Sequence, residues 1–369
     1  MWLRAPLFFR GAFLLRGIGS GEIFKPTASD DGNGTGTRRS ARVLAIALVA
    51  LAGLATALWP HWQTRQPPAG SAGLAHVTDE TGRAVAVPQP VRRIVSLAPN
   101  LTETLFALGL GERVVGVTDY CDYPPEATAK EHIGGPVSPN LEKIAQLRPD
   151  LVLATRAGGN RLSTVHSLET LGFAVFATDP HSVDEVILST ERLGELAGAN
   201  EQGRQVAAGL RRRLGEVAQR LSGSELTRVL LVVWLEPLIT VGRNTFIADA
   251  LRRAGAENVI QTAQDWPNTS LEAVARMQPE YLIFASDHSD QTNRKIAELG
   301  GLPGWRSLEA MRNQRVIVLD EAIAEPAPRL VYAIEQLARA LHPERFSMEV
   351  SGAPPTQPSA SSLPPEGAR

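Results

Sequence analysis

The chain has 369 residues, 43% of them hydrophobic, and a single cysteine, Cys121. That is long enough for two cores plus tails, and it excludes an internal disulfide framework. With 37 basic against 39 acidic residues and a formal net charge of -2, the chain carries no global positive field, so no nucleic-acid partner is expected.

In chain order, residues 1–42 read as a cytoplasmic or signal n-region ending in the basic residues Arg38, Arg39 and Arg42. Val43 to Trp59 then form a 17-residue run with no charged side chain. Such a run is at the short limit for spanning a bilayer and long for a signal-peptide core. Its basic flank places the N-terminus in the cytoplasm and everything downstream outside it. Two readings stay open: a signal cleaved near Ala55-Thr56-Ala57, or an uncleaved anchor over 43–59. No cysteine closely follows the run, so lipid attachment there is not expected. Residues 60–76, with Pro67, Pro68, Gly70 and Ser71, read as a flexible linker, and the Pro- and Ser-rich residues 350–369 as a disordered tail.

Between them, strand and helix patterns alternate. Strands are predicted at 93–98, 113–118, 150–155 and 173–178, with helices at 101–109, 140–147, 161–172 and 183–198. A second set follows, with strands at 228–234, 257–260, 280–285 and 315–319 and helices at 245–254, 270–277, 290–299, 305–312 and 328–341. The segment from Asn140 to Thr155 recurs without a gap as Ser270 to Ala285, 130 residues later. Each copy opens on a helix N-cap residue, runs with apolar residues at helical spacing, closes on proline and continues into a short apolar strand. The pattern predicts two Rossmann-like α/β lobes with parallel sheets, an N-terminal one at 77–199 and a C-terminal one at 224–349. A crevice between them is the natural ligand site.

The join, 200–223, places Val206, Leu210, Leu214, Val217 and Leu221 at spacings of four, four, three and four. It reads as one helix that would resist wide hinge opening. Arg211, Arg212 and Arg213 are expected on its solvent face.

The run Arg93-Ile94-Val95-Ser96-Leu97-Ala98-Pro99-Asn100-Leu101-Thr102-Glu103, then Tyr120-Cys121-Asp122-Tyr123-Pro124-Pro125, then Asn140-Leu141-Glu142-Lys143-Ile144, carries a family resemblance. Together they resemble the helical-backbone (class III) periplasmic binding proteins of vitamin B12, haem and ferric-siderophore ABC importers, the B12 members above all, over about 92–342. The resemblance implies a protein that binds its ligand in the interlobe cleft and docks on a permease dimer with its ATPase, on the periplasmic or extracytoplasmic side. It implies no cofactor of the protein's own, the ligand being a cobalt- or iron-bearing chelate. It further implies that Glu142 and Glu272 dock on the permease and that Tyr120, Trp266 and Glu321 touch ligand. Two tryptophans of the B12 site are replaced here by Pro136 and Thr155, and a basic ligand contact falls on Glu325. Arg156, Arg161, Trp234, Asp287 and His288 stand at or just after predicted strand ends, where crevice residues belong. Of these, Arg156, Trp234 and Asp287 join the candidate ligand contacts.

Enzyme signatures are missing. No G-x-G-x-x-G follows a strand, no Walker-type lysine loop or G-x-S-x-G elbow occurs, and the seven histidines show no H-E-x-x-H spacing. Cys121 reads as a small buried hydrophobe rather than a nucleophile. An enzyme is not expected.

Overall fold

The structure, a computed structural model, describes residues 73–346 except 157–158 and 287–288. The apolar run 43–59, the tail 350–369, Asp287 and His288 lie outside the described residues.

The first sheet has strands β3 (Ile94–Ser96), β4 (Val114–Val117), β5 (Glu131–His132), β6 (Leu151–Thr155) and β7 (Val175–Thr178), all parallel, in the order β5-β4-β3-β6-β7. The second has β8 (Thr227–Val232), β9 (Ala256–Asn258), β10 (Tyr281–Ala285) and β11 (Val316–Leu319), also parallel, in the order β11-β10-β8-β9. Strands such as β6, buried along its whole length, are covered on both faces by the crossover helices. In the first lobe these are α1 (Pro99–Ala107), α2 (Leu141–Leu147), α3 (Leu162–Thr170) and α4 (Val183–Leu196). Helix α5 (Asn200–Arg220) then leads to the second lobe, with α6 (Phe246–Arg253), α7 (Leu271–Met277), α8 (Ser289–Gly301), α9 (Pro303–Arg306), α10 (Glu309–Arg312), α11 (Arg329–Leu341) and α12 (Pro343–Phe346). This is the class III periplasmic binding protein fold.

The internal repeat is realised atom for atom. Helices α2 and α7 are capped by Asn140, whose Oδ1 accepts from Lys143 N at 2.8 Å, and by Ser270, whose Oγ accepts from Ala273 N at 3.2 Å. Both end on a left-handed residue at φ 44°, Arg148 and Gln278, just before the prolines. Ahead of β3 and near the start of β8, Arg93 and Arg228 each donate to the last helical carbonyl, of Leu147 and Met277. Their backbone N–H groups donate to the carboxylates of Asp150 and Glu280 at 2.8 and 3.1 Å. One local solution, used twice, orients both sheets.

Helix α5 is about 30 Å long at 1.5 Å per residue and buries Gly203, Ala207, Leu210, Leu214 and Val217. Val206 and Leu221 are only half-buried. Arg213 leaves the solvent face assigned to it, because its guanidinium lies 4.4 Å over the Tyr332 ring and its Nη1 is 2.9 Å from Glu335 on α11. Helix α4 shares the joining role. Its Val183, Val186 and Ile187 belong to the same buried cluster as α5, β8, α6 and α11, while its Leu193 and Leu196 belong to a cluster of the first lobe. One buried cluster of the second lobe thus takes in the start of the first lobe's last helix.

Helices α4 and α5 approach closely at Gly194 and Gly203, where a Cβ on Gly194 would meet Ala199 O and Gly203 Cα at 3.0 Å. Both are backbone and cannot swing aside. Gly194→Ala is expected to cost about 1–3 kcal/mol, read as a lower midpoint in thermal unfolding.

Three expectations change. The hairpin β1 (Gly73–Thr78) and β2 (Ala84–Gln89) takes up part of the segment read as linker, so 60–76 is not linker to its end. The short strand β5 was not foreseen. The single helix expected at 305–312 is two, α9 and α10, broken at Ser307 and Leu308, where Leu308 is fully buried and extended as the N-cap residue of α10.

Candidate functional site

In parallel sheets, the loops that follow the strands gather at the carboxyl edge, and ligands bind there where the strand order reverses. In the first lobe that point lies between β3 and β6, in the second between β8 and β10. The carboxyl edges of both sheets are drawn to one another at a direct contact. Glu103, on α1 just after β3, accepts from Arg329 N at 2.9 Å and from Arg329 Nε at 2.8 Å, across 226 residues of chain. Arg329 Cζ lies 3.7 Å from the centre of the Tyr123 ring, and its Nη1 3.5 Å from Asp320 Oδ1.

Two buried asparagines pin the loops at these edges. Asn160 donates to Leu97 O at 2.9 Å and Pro136 O at 2.8 Å while its Oδ1 accepts from Thr155 N at 2.8 Å. In the second lobe Asn258 donates to Val241 O at 2.8 Å and accepts from Leu231 N at 3.1 Å. The loop carrying Trp266 lies against Gly242, whose N–H donates to Asp265 O at 2.9 Å, and Arg243 N donates to Thr262 O at 2.9 Å.

The expected contact residues fall as follows. Tyr120, half-buried, follows β4 and abuts Gly135. Trp266, half-buried, rests against the shared core from the loop ahead of α7. Trp234 follows β8, but its indole N–H is spent within its own turn, on Glu236 O at 2.9 Å. Arg156 is exposed at the end of β6, its Nε 3.6 Å from Asp179 Oδ2. Glu321, half-buried, opens the 3-10 turn after β11. All of these stand on carboxyl-edge loops, and Asp287 lies outside the described residues.

At the three altered positions, Thr155 is fully buried and Pro136 buried, so neither offers a face to a ligand. Glu325 is 8% exposed.

Because α2 and α7 run antiparallel to the strands that follow them, their N-termini point to the same carboxyl edges. Glu142 and Glu272 sit in these first turns, and both are exposed. Lys143, beside Glu142, turns to Glu131 Oε1 at 3.0 Å. The Glu272 carboxyl is held below its ordinary pKa by a hydrogen bond from the Ser270 hydroxyl and one from its own backbone N–H. Two anions thus stand at repeat-equivalent positions, one at the carboxyl edge of each sheet.

The residues that sequence reasoning left without a role are Glu103, Tyr123 and Arg329. Glu103 lies within the quoted Arg93–Glu103 run, on the side of α1 away from Leu101 and Leu105 yet buried like them, so helical spacing carries no local signal of its role.

Known proteins agree with this architecture. The vitamin B12-binding protein of Vibrio cholerae is 31% identical over 260 residues, covering 70% of this chain and 91% of the relative. The crystal structure of the periplasmic vitamin B12 binding protein BtuF of Vibrio cholerae superposes with a TM-score of 0.61 at 29% identity, over 68% of this chain and 97% of that one. The periplasmic heme-binding protein RhuT from Roseiflexus sp. RS-1 gives a TM-score of 0.62 at 26% identity, over 69% and 99%. Residues 94–323 match the periplasmic binding protein family, and the chain belongs to it as a substrate-binding protein of the B12, haem and siderophore type.

Proposed function

We propose that this protein is the extracytoplasmic binding component of an ABC importer for cobalamin or a related corrinoid, taken up between the lobes and delivered to a permease dimer with its ATPase. The observation that carries the reading is the pair of exposed, repeat-equivalent carboxylates, Glu142 and Glu272, each in the first turn of a helix that starts at the carboxyl edge of its sheet. A two-fold transporter offers two equivalent cationic sites, which this quasi-two-fold arrangement matches. Tyr120 and Trp266, one from each lobe, supply apolar planes for a flat macrocycle. Arg156, Trp234 and Glu321 supply the polar and aromatic rim, with Asp287 a further candidate contact. The corrinoid reading is supported by the 31% identity to a vitamin B12-binding protein over most of both chains. The metal is cargo inside its chelate and not a resident cofactor. Residues 43–59 would deliver the protein to the outer face of the inner membrane, as a signal or as an anchor.

The test is titration of the purified protein with cyanocobalamin, followed by tryptophan fluorescence. Saturable one-to-one binding at about micromolar affinity or tighter is expected, corresponding to about -8 kcal/mol. Binding of haem or a ferric siderophore in its place would redirect the ligand and leave the transport role standing.

A further inference from the structure

Helix α11 begins with no capping side chain of its own. Its N-cap residue is Pro328, which has no hydroxyl, amide or carboxylate to offer, and the first helical N–H belongs to Arg329. That N–H is capped from the other lobe, by Glu103 Oε1 at 2.9 Å, while Glu103 Oε2 takes Arg329 Nε at 2.8 Å. The carboxylate therefore meets a guanidinium and the positive end of a 13-residue helix together. The Glu103 side chain is 6% exposed and that of Arg329 27%. Tyr123, from the first lobe, closes the guanidinium's other face at 3.7 Å.

Several polar joints between the halves run through helix α4 or α5. Asp249 on α6 accepts from Val183 N at 2.9 Å, Arg253 meets Asp184 at 2.7 Å, and Arg213 meets Glu335 at 2.9 Å. The Glu103 contact lies outside that hinge, joining α1 directly to α11. A rotation about the α4–α5 pair leaves the hinge-side contacts in place and pulls this one apart. Pulling it apart uncaps α11 and strips a buried carboxylate of its partners, which is costly for a charge in such surroundings.

We propose that Glu103 is a positioning residue of the ligand cleft: by capping α11 from the opposite lobe and clasping Arg329, it sets the separation of the two lobes on the side away from the hinge helices. The inference rests on the cleft reading above but not on which ligand occupies it. A lobe separation fixed before ligand arrives also fixes the spacing of Glu142 and Glu272.

The experiment places spin labels at Leu171→Cys in the first lobe and Leu302→Cys in the second, both about half exposed, with buried Cys121 left in place. Interlobe distance distributions are recorded for the ligand-free full chain with Glu103→Gln, with Arg329→Gln and with both. Each single variant is expected to broaden the distribution about twofold or more, and to raise the ligand's dissociation rate about tenfold. The double variant, which leaves no orphaned charge, is expected to recover thermal stability lost by the singles yet keep the broad distribution. That separation of stability from spacing is what a merely structural role would not produce. Should a glutamine variant fail to fold, Arg329→Lys keeps the charge and the capped N–H but loses the fork and the ring stacking, and broadening is expected there too. A distribution of unchanged width in the folded variants overturns the proposal. Broadening in a protein that binds no cyanocobalamin sinks the corrinoid reading alone and leaves this one in place.

Discussion

Uptake through the cognate permease is expected to fall to background in the Glu142→Ala, Glu272→Ala double variant, while cyanocobalamin affinity stays within error of the parent. Both carboxylates are exposed at the starts of seven-residue helices whose caps, Asn140 and Ser270, remain when the glutamates go. The loss to folding is then confined to the interaction of each exposed carboxylate with the dipole of its own helix, which solvent screens. Docking loses much more. Truncating one partner of a charge pair closed within an interface costs about 2–5 kcal/mol, so two such losses weaken docking by about a thousandfold or more. Each single variant is expected to retain part of the transport, because one anchor still sets the encounter. Reconstituted vesicles with the permease and ATPase supply the measurement. Undiminished uptake in the double variant would remove the docking assignment.

The second large effect is expected at a glycine that touches no ligand. A Cβ on Gly242 would overlap the backbone carbonyl of Gln264 and lie 2.9 Å from Thr262 O. The neighbouring strand of chain is main chain, held by Gly242 N to Asp265 O and Arg243 N to Thr262 O, so it cannot yield by turning a rotamer. Gly242→Ala must push the 262–266 segment away and carry Trp266 with it. If Trp266 is one of the planes holding the macrocycle, this variant is expected to lose about as much affinity as Trp266→Ala, roughly 2 kcal/mol or thirtyfold. Helical circular dichroism should be unchanged. Equal losses in the two variants would tie the glycine to the aromatic; a full-affinity Gly242→Ala would detach Trp266 from the ligand.

Much of the fold is legible in the sequence because the repeat is coded locally. Cap, helical spacing, proline and apolar strand all lie within sixteen residues, so Asn140–Thr155 and Ser270–Ala285 announce two lobes without any knowledge of contacts. The α5 helix is readable for the same reason, through Leu210, Leu214 and Val217. The hairpin is harder to read: Ala84-Val85-Ala86-Val87 alternates, but the run is short, ends at Pro88 and follows a Gly-rich stretch. The two-residue strand β5 has no period to detect. The site divides in the same way. Glu142 and Glu272 can be found by aligning the chain with itself, whereas Glu103 and Arg329 are partners only after folding, 226 residues apart. Their burial inverts the usual reading of charged side chains as solvated. Glu325, standing where the family resemblance implies a basic ligand contact, is another carboxylate that its sequence neighbours do not mark as buried, at 8% exposed.

Because Val183, Val186 and Ile187 of the first lobe are interleaved with Leu210, Leu214, Leu330 and Ile334 in one cluster, the halves are not interchangeable cassettes. A chimera joined at the corner between α4 and α5 would set an unmatched apolar seam against its new neighbour. Descendants of such a chain can diverge through the loops at the sheet ends far more readily than by recombining whole halves.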